Sequence, residues 1–136
     1  AMRLSEDLRQ ATEKPHLLFK ASQCPASRGI LEGGASGFVT DGPYLFNPGQ
    51  GLGMLWSTLG EDMAYLQVAA YSPSGDILGP WVQDPEPVYS GDGGHGMLFT
   101  DLAGSLKLAL HTPNSTPDER PLILDASLES GRLRVL

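Results

Sequence analysis

Short apolar or alternating runs recur along the chain with polar turn sequences between them, and a 3.6-residue period is hard to find anywhere. Leu17–Ala21, Gly42–Phe46, Leu52–Leu59, Tyr65–Tyr71, Gly96–Thr100, Leu106–His111, Leu122–Leu128 and Arg132–Leu136 therefore predict strands. Most are bounded by turn chemistry such as Asn47-Pro48-Gly49, Ser72-Pro73-Ser74-Gly75-Asp76 and Glu129-Ser130-Gly131. A short helical turn is expected only at Ser5–Gln10, where Ser5 could cap and Glu6 and Asp7 favour a first turn. The pattern as a whole is that of an all-β domain of hairpins.

The runs also repeat. At an offset of 54, Asp41-Gly42-Pro43-Tyr44-Leu45 falls on His95-Gly96-Met97-Leu98-Phe99, and Leu52-Gly53-Met54-Leu55-Trp56-Ser57 falls on Leu106-Lys107-Leu108-Ala109-Leu110-His111. A further hairpin follows each copy, Tyr65–Ile77 in the first and Pro121–Leu133 in the second. About 50 residues holding four short strands is the spacing of a propeller blade. The repeats span residues 38–90 and 91–136, and with a leading strand at 15–21 they amount to roughly two and a half four-stranded antiparallel blades within one domain, residues 1–136. A closed ring takes about four to eight blades, so the expectation is a partial propeller. A two-sheet sandwich with accidental internal similarity is the alternative.

Composition narrows the function classes. Of the 136 residues 40% are hydrophobic and 18% charged, which is the balance of a folded domain. A net charge of −7 argues against a phosphate-binding surface, so nucleic acid is not expected as a partner while neutral sugars are compatible. Cys24 stands alone and can form no internal disulfide. No run of about 18 apolar residues and no secretory leader stands out, so no membrane partner is expected. If the chain were complete as it stands, a cytoplasmic location would follow.

Candidate chemistry comes from the repeat. The start of a blade's innermost strand opens onto the face where propellers usually hold ligands, and the alignment puts Asp41 and His95 there. A carboxylate and an imidazole brought to one axis suit acid–base chemistry or ion binding. The bland alternatives are a turn-forming aspartate before Gly42-Pro43 and a structural histidine between glycines.

Five segments stand in order along the chain: Val39-Thr40-Asp41-Gly42-Pro43-Tyr44-Leu45-Phe46, Met54-Leu55-Trp56-Ser57, Ile77-Leu78-Gly79-Pro80-Trp81, Gly93-Gly94-His95-Gly96-Met97-Leu98-Phe99 and Asp118-Glu119-Arg120-Pro121. Together they make the chain resemble glycoside hydrolase family 43, the arabinofuranosidases, xylosidases and arabinanases. The resemblance runs from about Leu4 to the C-terminus and implies the C-terminal half of a five-bladed propeller. It further implies an inverting hydrolase of arabinose- or xylose-containing plant polysaccharides or oligosaccharides, with the general acid at Asp41. The family more often has Glu there, one methylene longer. His95 falls on the channel histidine, which would touch substrate and a central calcium, directly or through water. Arg120 falls on the arginine near the sugar, and Trp56 is a further substrate-contact candidate, with blade packing as its alternative. The family's catalytic base and its pKa-tuning aspartate belong to the first blades, and nothing in Ala1–Gly37 resembles those segments.

The resemblance thus leads to a carbohydrate substrate and to a site completed by self-association. A dimer is the first choice and a trimer the second, with the strand at Arg132–Leu136 of one copy completing the blade begun by Leu17–Ala21 of the next. A non-catalytic carbohydrate-binding or remnant half-propeller, and a truncated gene fragment, are the competing readings.

Overall fold

The computed structural model describes residues 1–29, 33 and 36–136. Eight strands form two four-stranded antiparallel sheets: β1 (Asp41–Phe46), β2 (Leu52–Leu59), β3 (Tyr65–Ser72) and β4 (Val82–Gln83), then β5 (Gly94–Thr100), β6 (Leu106–Thr112), β7 (Arg120–Glu129) and β8 (Arg132–Val135). Each sheet is a simple meander, in the order β1-β2-β3-β4 and β5-β6-β7-β8, with no strand exchanged between the two. Two consecutive blades of a propeller have this arrangement. No helix among the described residues is long and apolar enough to cross a membrane.

The two blades are buried to different degrees, and their sequences reflect it. In β2 and β3 nearly every residue is buried, because both faces of that sheet are covered. Leu55, Ala69 and Tyr71 pack toward the second blade against Leu98, Leu108 and Leu110, while Trp56, Val68 and Ala70 pack with Phe19, Ala21, Cys24 and Trp81. A strand covered on both faces reads as a near-continuous apolar run, as Leu52–Leu59 does. β5 alternates instead, with Leu98 inward and Met97 and Phe99 outward, because only one face of its blade is covered. Fully burying each of the large core side chains contributes about 1.5–3 kcal/mol by area.

The turns follow their chemistry. Gly49 N–H donates to Asn47 Oδ1 at 2.8 Å, closing an Asx turn after β1. Ser130 and Gly131 both have positive φ between the paired Glu129 and Arg132, as a two-residue hairpin turn demands.

Several expectations are corrected. Leu17–Ala21 forms no strand: Phe19 and Ala21 lie across the first blade as packing groups, and Ala21–Gln23 is a 3-10 turn. The apolar run there is explained by the face it covers rather than by a ladder. Ser5–Gln10 is not helical but a tight loop closed by the Leu4–Ala11 bridge, with Leu8 in the left-handed region and Ser5 Oγ bonded to Asp7 Oδ1 at 2.6 Å. The hairpin expected at Tyr65–Ile77 does not close within that range: the fourth strand of the first blade is β4 at Val82–Gln83, whose two residues have no periodicity to read. Asp84, just after β4, is 1% exposed and faces Arg132 Nη1 at 3.1 Å and Arg134 Nη1 at 3.2 Å on β8.

The repeat register is also corrected, by one residue. Phe46 pairs with Gly53 and Phe99 with Lys107, so the hairpin of the second blade is one residue longer. The offset of 54 therefore holds for β2 on β6, whereas β1 falls on β5 at 53. His95 is thus the counterpart of Gly42, not of Asp41, and the two share positive φ values of 57° and 52°.

Candidate active site

Each inner strand opens with the same irregularity. Asp41 pairs with Ser57 and Tyr44 with Leu55, so Gly42 and Pro43 together oppose Trp56; Gly94 pairs with His111 and Met97 with Ala109, so His95 and Gly96 oppose Leu110. These are β-bulges, which bend a strand end and re-aim its side chains. Proline suits the first bulge because the extra residue needs no ladder N–H. Gly42 is required twice over: its φ is left-handed, and a Cβ there would lie 2.9 Å from the His95 ring.

The two bulges bring Asp41 and His95 together. His95 Nδ1 lies 3.5 Å from Asp41 Oδ2, with the side chains 57% and 50% exposed, so the pair is open to a ligand. Asp41 is held from behind by Tyr65, whose hydroxyl donates to Oδ2 at 2.9 Å, and by the Gly42 N–H, which donates to Oδ1 at 2.8 Å. The Tyr65 bond is the main reason the carboxyl lies below the usual aspartate range; burial opposes it, and Gly42 and His95 reinforce it. Burial pushes the Tyr65 phenol up to about 12.

His95 is fixed through its backbone. Its N–H donates to Ser57 Oγ at 2.8 Å, and Gly96 N–H donates to Gln67 Oε1 at 2.6 Å. Gln67 Nε2 in turn donates to the Trp56 carbonyl at 2.8 Å. Ser57 and Gln67 are both fully buried, so this polar pair of the first blade holds the bulge of the second.

His111 was given no role by the sequence, yet it stacks on Tyr65 with 5.6 Å between ring centroids and lies 6.4 Å from the His95 ring. Ser57 and His111, aligned by the repeat, occupy the same place in β2 and β6, opposite the start of each inner strand. A polar residue at that point in both copies was the available signal. Nothing in the sequence marks Tyr65 apart from other strand aromatics.

Arg120 comes near the site but does not reach Asp41. Its Nη1 donates to the carbonyls of Pro117 and Glu119 at 3.0 and 2.8 Å, and it shares a shallow recess of about 410 Å³ with His95, His111 and Glu119. Trp56 is not brought to the surface: it is 2% exposed, packs on Phe19 at 5.3 Å, and bonds through Nε1 to Gln83 Oε1 at 3.2 Å. It is a core residue of the first blade and offers no ring face to a sugar. Among the described residues no group of three or more His, Cys, Asp or Glu side chains is placed to hold a metal ion. Calcium takes 6–8 oxygen ligands. Asp41 and His95 alone do not fit that demand.

Two four-stranded meanders side by side, with a carboxylate and an imidazole meeting where their inner strands open, define a segment of a β-propeller with a polar channel site. The fold matches about half of a solved glycoside hydrolase of family 43, the family its sequence resembles. It is similar to a solved structure of an endo-arabinase from Bacteroides thetaiotaomicron VPI-5482, with 43% identity and a TM-score of 0.88 over 96% of this chain and 46% of that one. A thermostable family-43 glycoside hydrolase matches in fold over 98% of this chain and 45% of its own, at 23% identity and a TM-score of 0.77. An exo-1,5-alpha-L-arabinanase from a bovine ruminal metagenomic library does so over 99% and 48%, at 16% identity and 0.70. The chain spans about half the length of these structures. No family model matches it, nor does any curated protein.

Proposed function

We propose that the chain supplies one half of the active centre of a glycoside hydrolase acting on arabinose- or xylose-containing polysaccharides or oligosaccharides, and that a second copy completes the centre. The observation that supports this reading is the meeting of Asp41 and His95 at the open ends of two adjacent inner strands, in a chain 43% identical to a protein named an endo-arabinase. Inverting hydrolysis needs one carboxylic acid to protonate the leaving oxygen and one carboxylate to activate water, about 6.5–9.5 Å apart. Asp41 is the first of these, and the second arrives with the other copy. Its arrival would also retune Asp41, because a like charge nearby raises a carboxyl pKa and would oppose the pull of Tyr65. His95 orients sugar hydroxyls beside the acid, and Arg120 borders the recess next to it. The association uses the open face of the second blade rather than strand exchange, since Leu17–Ala21 offers no strand to complete.

The test pairs light scattering with turnover of arabinan and of chromogenic arabinofuranosides and xylosides. The expected result is an oligomer that hydrolyses one of these substrates with inversion, seen in the anomer first formed by proton NMR, and that loses activity in Asp41→Asn. A stable monomer of 14.5 kDa without turnover would overturn the reading.

A second reading, a carbohydrate-binding half-propeller without catalysis, is favoured by the two donors on Asp41, the Tyr65 hydroxyl and the Gly42 N–H, which suit an ionised carboxylate. An ionised carboxylate with a neighbouring imidazole accepts and donates to sugar hydroxyls but has no proton to give. Calorimetry detecting binding of arabino-oligosaccharides that are never cleaved, whatever the oligomeric state, would select it.

A further inference from the structure

We propose that the end of the blades away from Asp41 carries a second site, built around Arg132, that binds the carboxylate of an acidic sugar, a uronate. That a sugar bears the carboxylate rests on the carbohydrate reading given above; the anion site itself rests on geometry remote from Asp41 and His95.

Asp41 heads β1 and Phe46 ends it, so the turn after β1 and the end of β3 lie at the far end of the first blade, where the β7–β8 turn of the second blade joins them. Pro48, Gln50, Ser72, Ser130 and Arg132 border a recess there of about 670 Å³ that spans both blades. Small-ligand cavities run to about 300–1,000 Å³. Its walls are set without a ligand. Ser72 Oγ donates to the Asp76 carbonyl at 2.8 Å, and a Cβ at Gly51 would clash with the Ser72 carbonyl, so the first turn packs backbone on backbone.

Arg132 is the cation of this recess, and it is held ready. Its guanidinium carbon lies 5.3 Å from the centroid of the Tyr71 ring, and the Tyr71 hydroxyl accepts from the Leu133 N–H. Nη1 is buried against Asp84, so the 42% exposure of the side chain belongs to its other atoms, and among the described residues neither Nε nor Nη2 donates to a protein group. Asp84 is the only carboxylate among the described residues within ion-pair reach of Arg132 or Arg134, and it faces both. One negative charge between two positive ones leaves the cluster cationic, in a chain whose net charge is −7. A guanidinium stacked on a ring and anchored at one nitrogen loses little freedom on binding, and its remaining edge matches a planar carboxylate. A phosphate, with its greater charge, calls for further cations, and no lysine lines the recess. The Gln50 amide and the Ser130 hydroxyl border the same space and suit the hydroxyls of a sugar ring.

The experiment is a titration of the full chain with methyl glucuronide at constant ionic strength, followed by proton–nitrogen NMR of the Arg132 Nε–H and the backbone amides of Gln50 and Gly131. The expected result is saturable shifts at these groups with the uronate and none with methyl glucoside, its neutral counterpart. Acetate, which has the charge without the hydroxyls, should bind about tenfold more weakly. Arg132→Gln should abolish the response. Because that change also takes a partner from Asp84, Gln50→Glu serves as the second variant: its exposed side chain puts a like charge on the rim, so uronate affinity should fall about tenfold with the melting temperature unchanged. No shift at Arg132, equal binding of glucoside or acetate, or an affinity unmoved by Gln50→Glu would overturn the inference. The probe holds neither arabinose nor xylose and needs no turnover. Absence of hydrolysis with the Arg132 shifts intact therefore sinks the hydrolase reading alone, and hydrolysis without those shifts sinks this inference alone.

Discussion

Gly42 and Asp41 show how closely single atoms are placed at the head of β1. In Gly42→Ala the new methyl would meet the His95 ring while the backbone keeps a left-handed φ. Such a change costs about 1–2 kcal/mol from backbone strain alone. The expected outcome is a lower melting temperature and displaced His95 imidazole resonances. The charge of Asp41 adds a pH dependence. Its folded pKa is depressed, so its contribution is present above the unfolded value of about 3.9 and is lost as pH falls through the lower folded value. Thermal melts of Asp41→Asn and of the native chain should thus differ near neutral pH and converge once the pH has fallen through that lower folded value. At this scale the sequence revealed the two residues that meet, because the repeat brought both to strand openings. It could not reveal Tyr65 or assign His111 a role, because what matters in them is direction: a hydroxyl on β3 that meets the carboxylate at the head of β1, and a ring stacked across a blade boundary. Trp56 shows the reverse, an aromatic whose type suggests a sugar platform and whose position, covered by Phe19, makes it core.

At the scale of elements, periodicity was informative wherever a strand had at least four residues and at least one covered face. The run Leu52–Leu59 has the same bounds in sequence and structure, and Arg132–Leu136 differs from β8 by one residue. Leu17–Ala21 failed because apolar content signals burial, and burial here comes from lying across a sheet rather than joining it. The one-residue slip of the repeat has a similar origin: an ungapped alignment cannot register a hairpin that is longer in one copy. Leu108 tests the packing between blades, since it is fully buried and sits under the second bulge, next to Gly96. Leu108→Ala should destabilise by about 2–5 kcal/mol in urea unfolding, as large-to-small core changes do. The same change should loosen His95, visible as line broadening of its imidazole.

The whole molecule has one covered and one uncovered end. Phe19, Ala21 and Cys24 cover the far face of the first blade, whereas Met97, Phe99 and Ile123 remain 49%, 36% and 60% exposed on the far face of the second. An apolar row on a flat sheet face is a surface for another protein. Replacing Met97 and Ile123 together by Asp should leave the fold intact, since neither is buried, and should convert any oligomer to monomer in light scattering. Unchanged association would place the contact elsewhere.

The strand β8 ties the second blade to the first. Asp84 closes the first blade, but its two arginines lie on β8, and the Leu133 N–H donates to Tyr71 Oη, also in the first blade, at 2.9 Å. Until β8 is made, the first blade carries a carboxylate destined for burial and still unpaired. Removing one partner of such a pair costs about 3–5 kcal/mol, so the first blade cannot settle early and the two must become stable together. A nascent chain ending at Glu129 should therefore be cut readily by protease throughout its length, whereas the chain ending at Leu136 should resist, making the final strand the clasp on which the timing of folding depends.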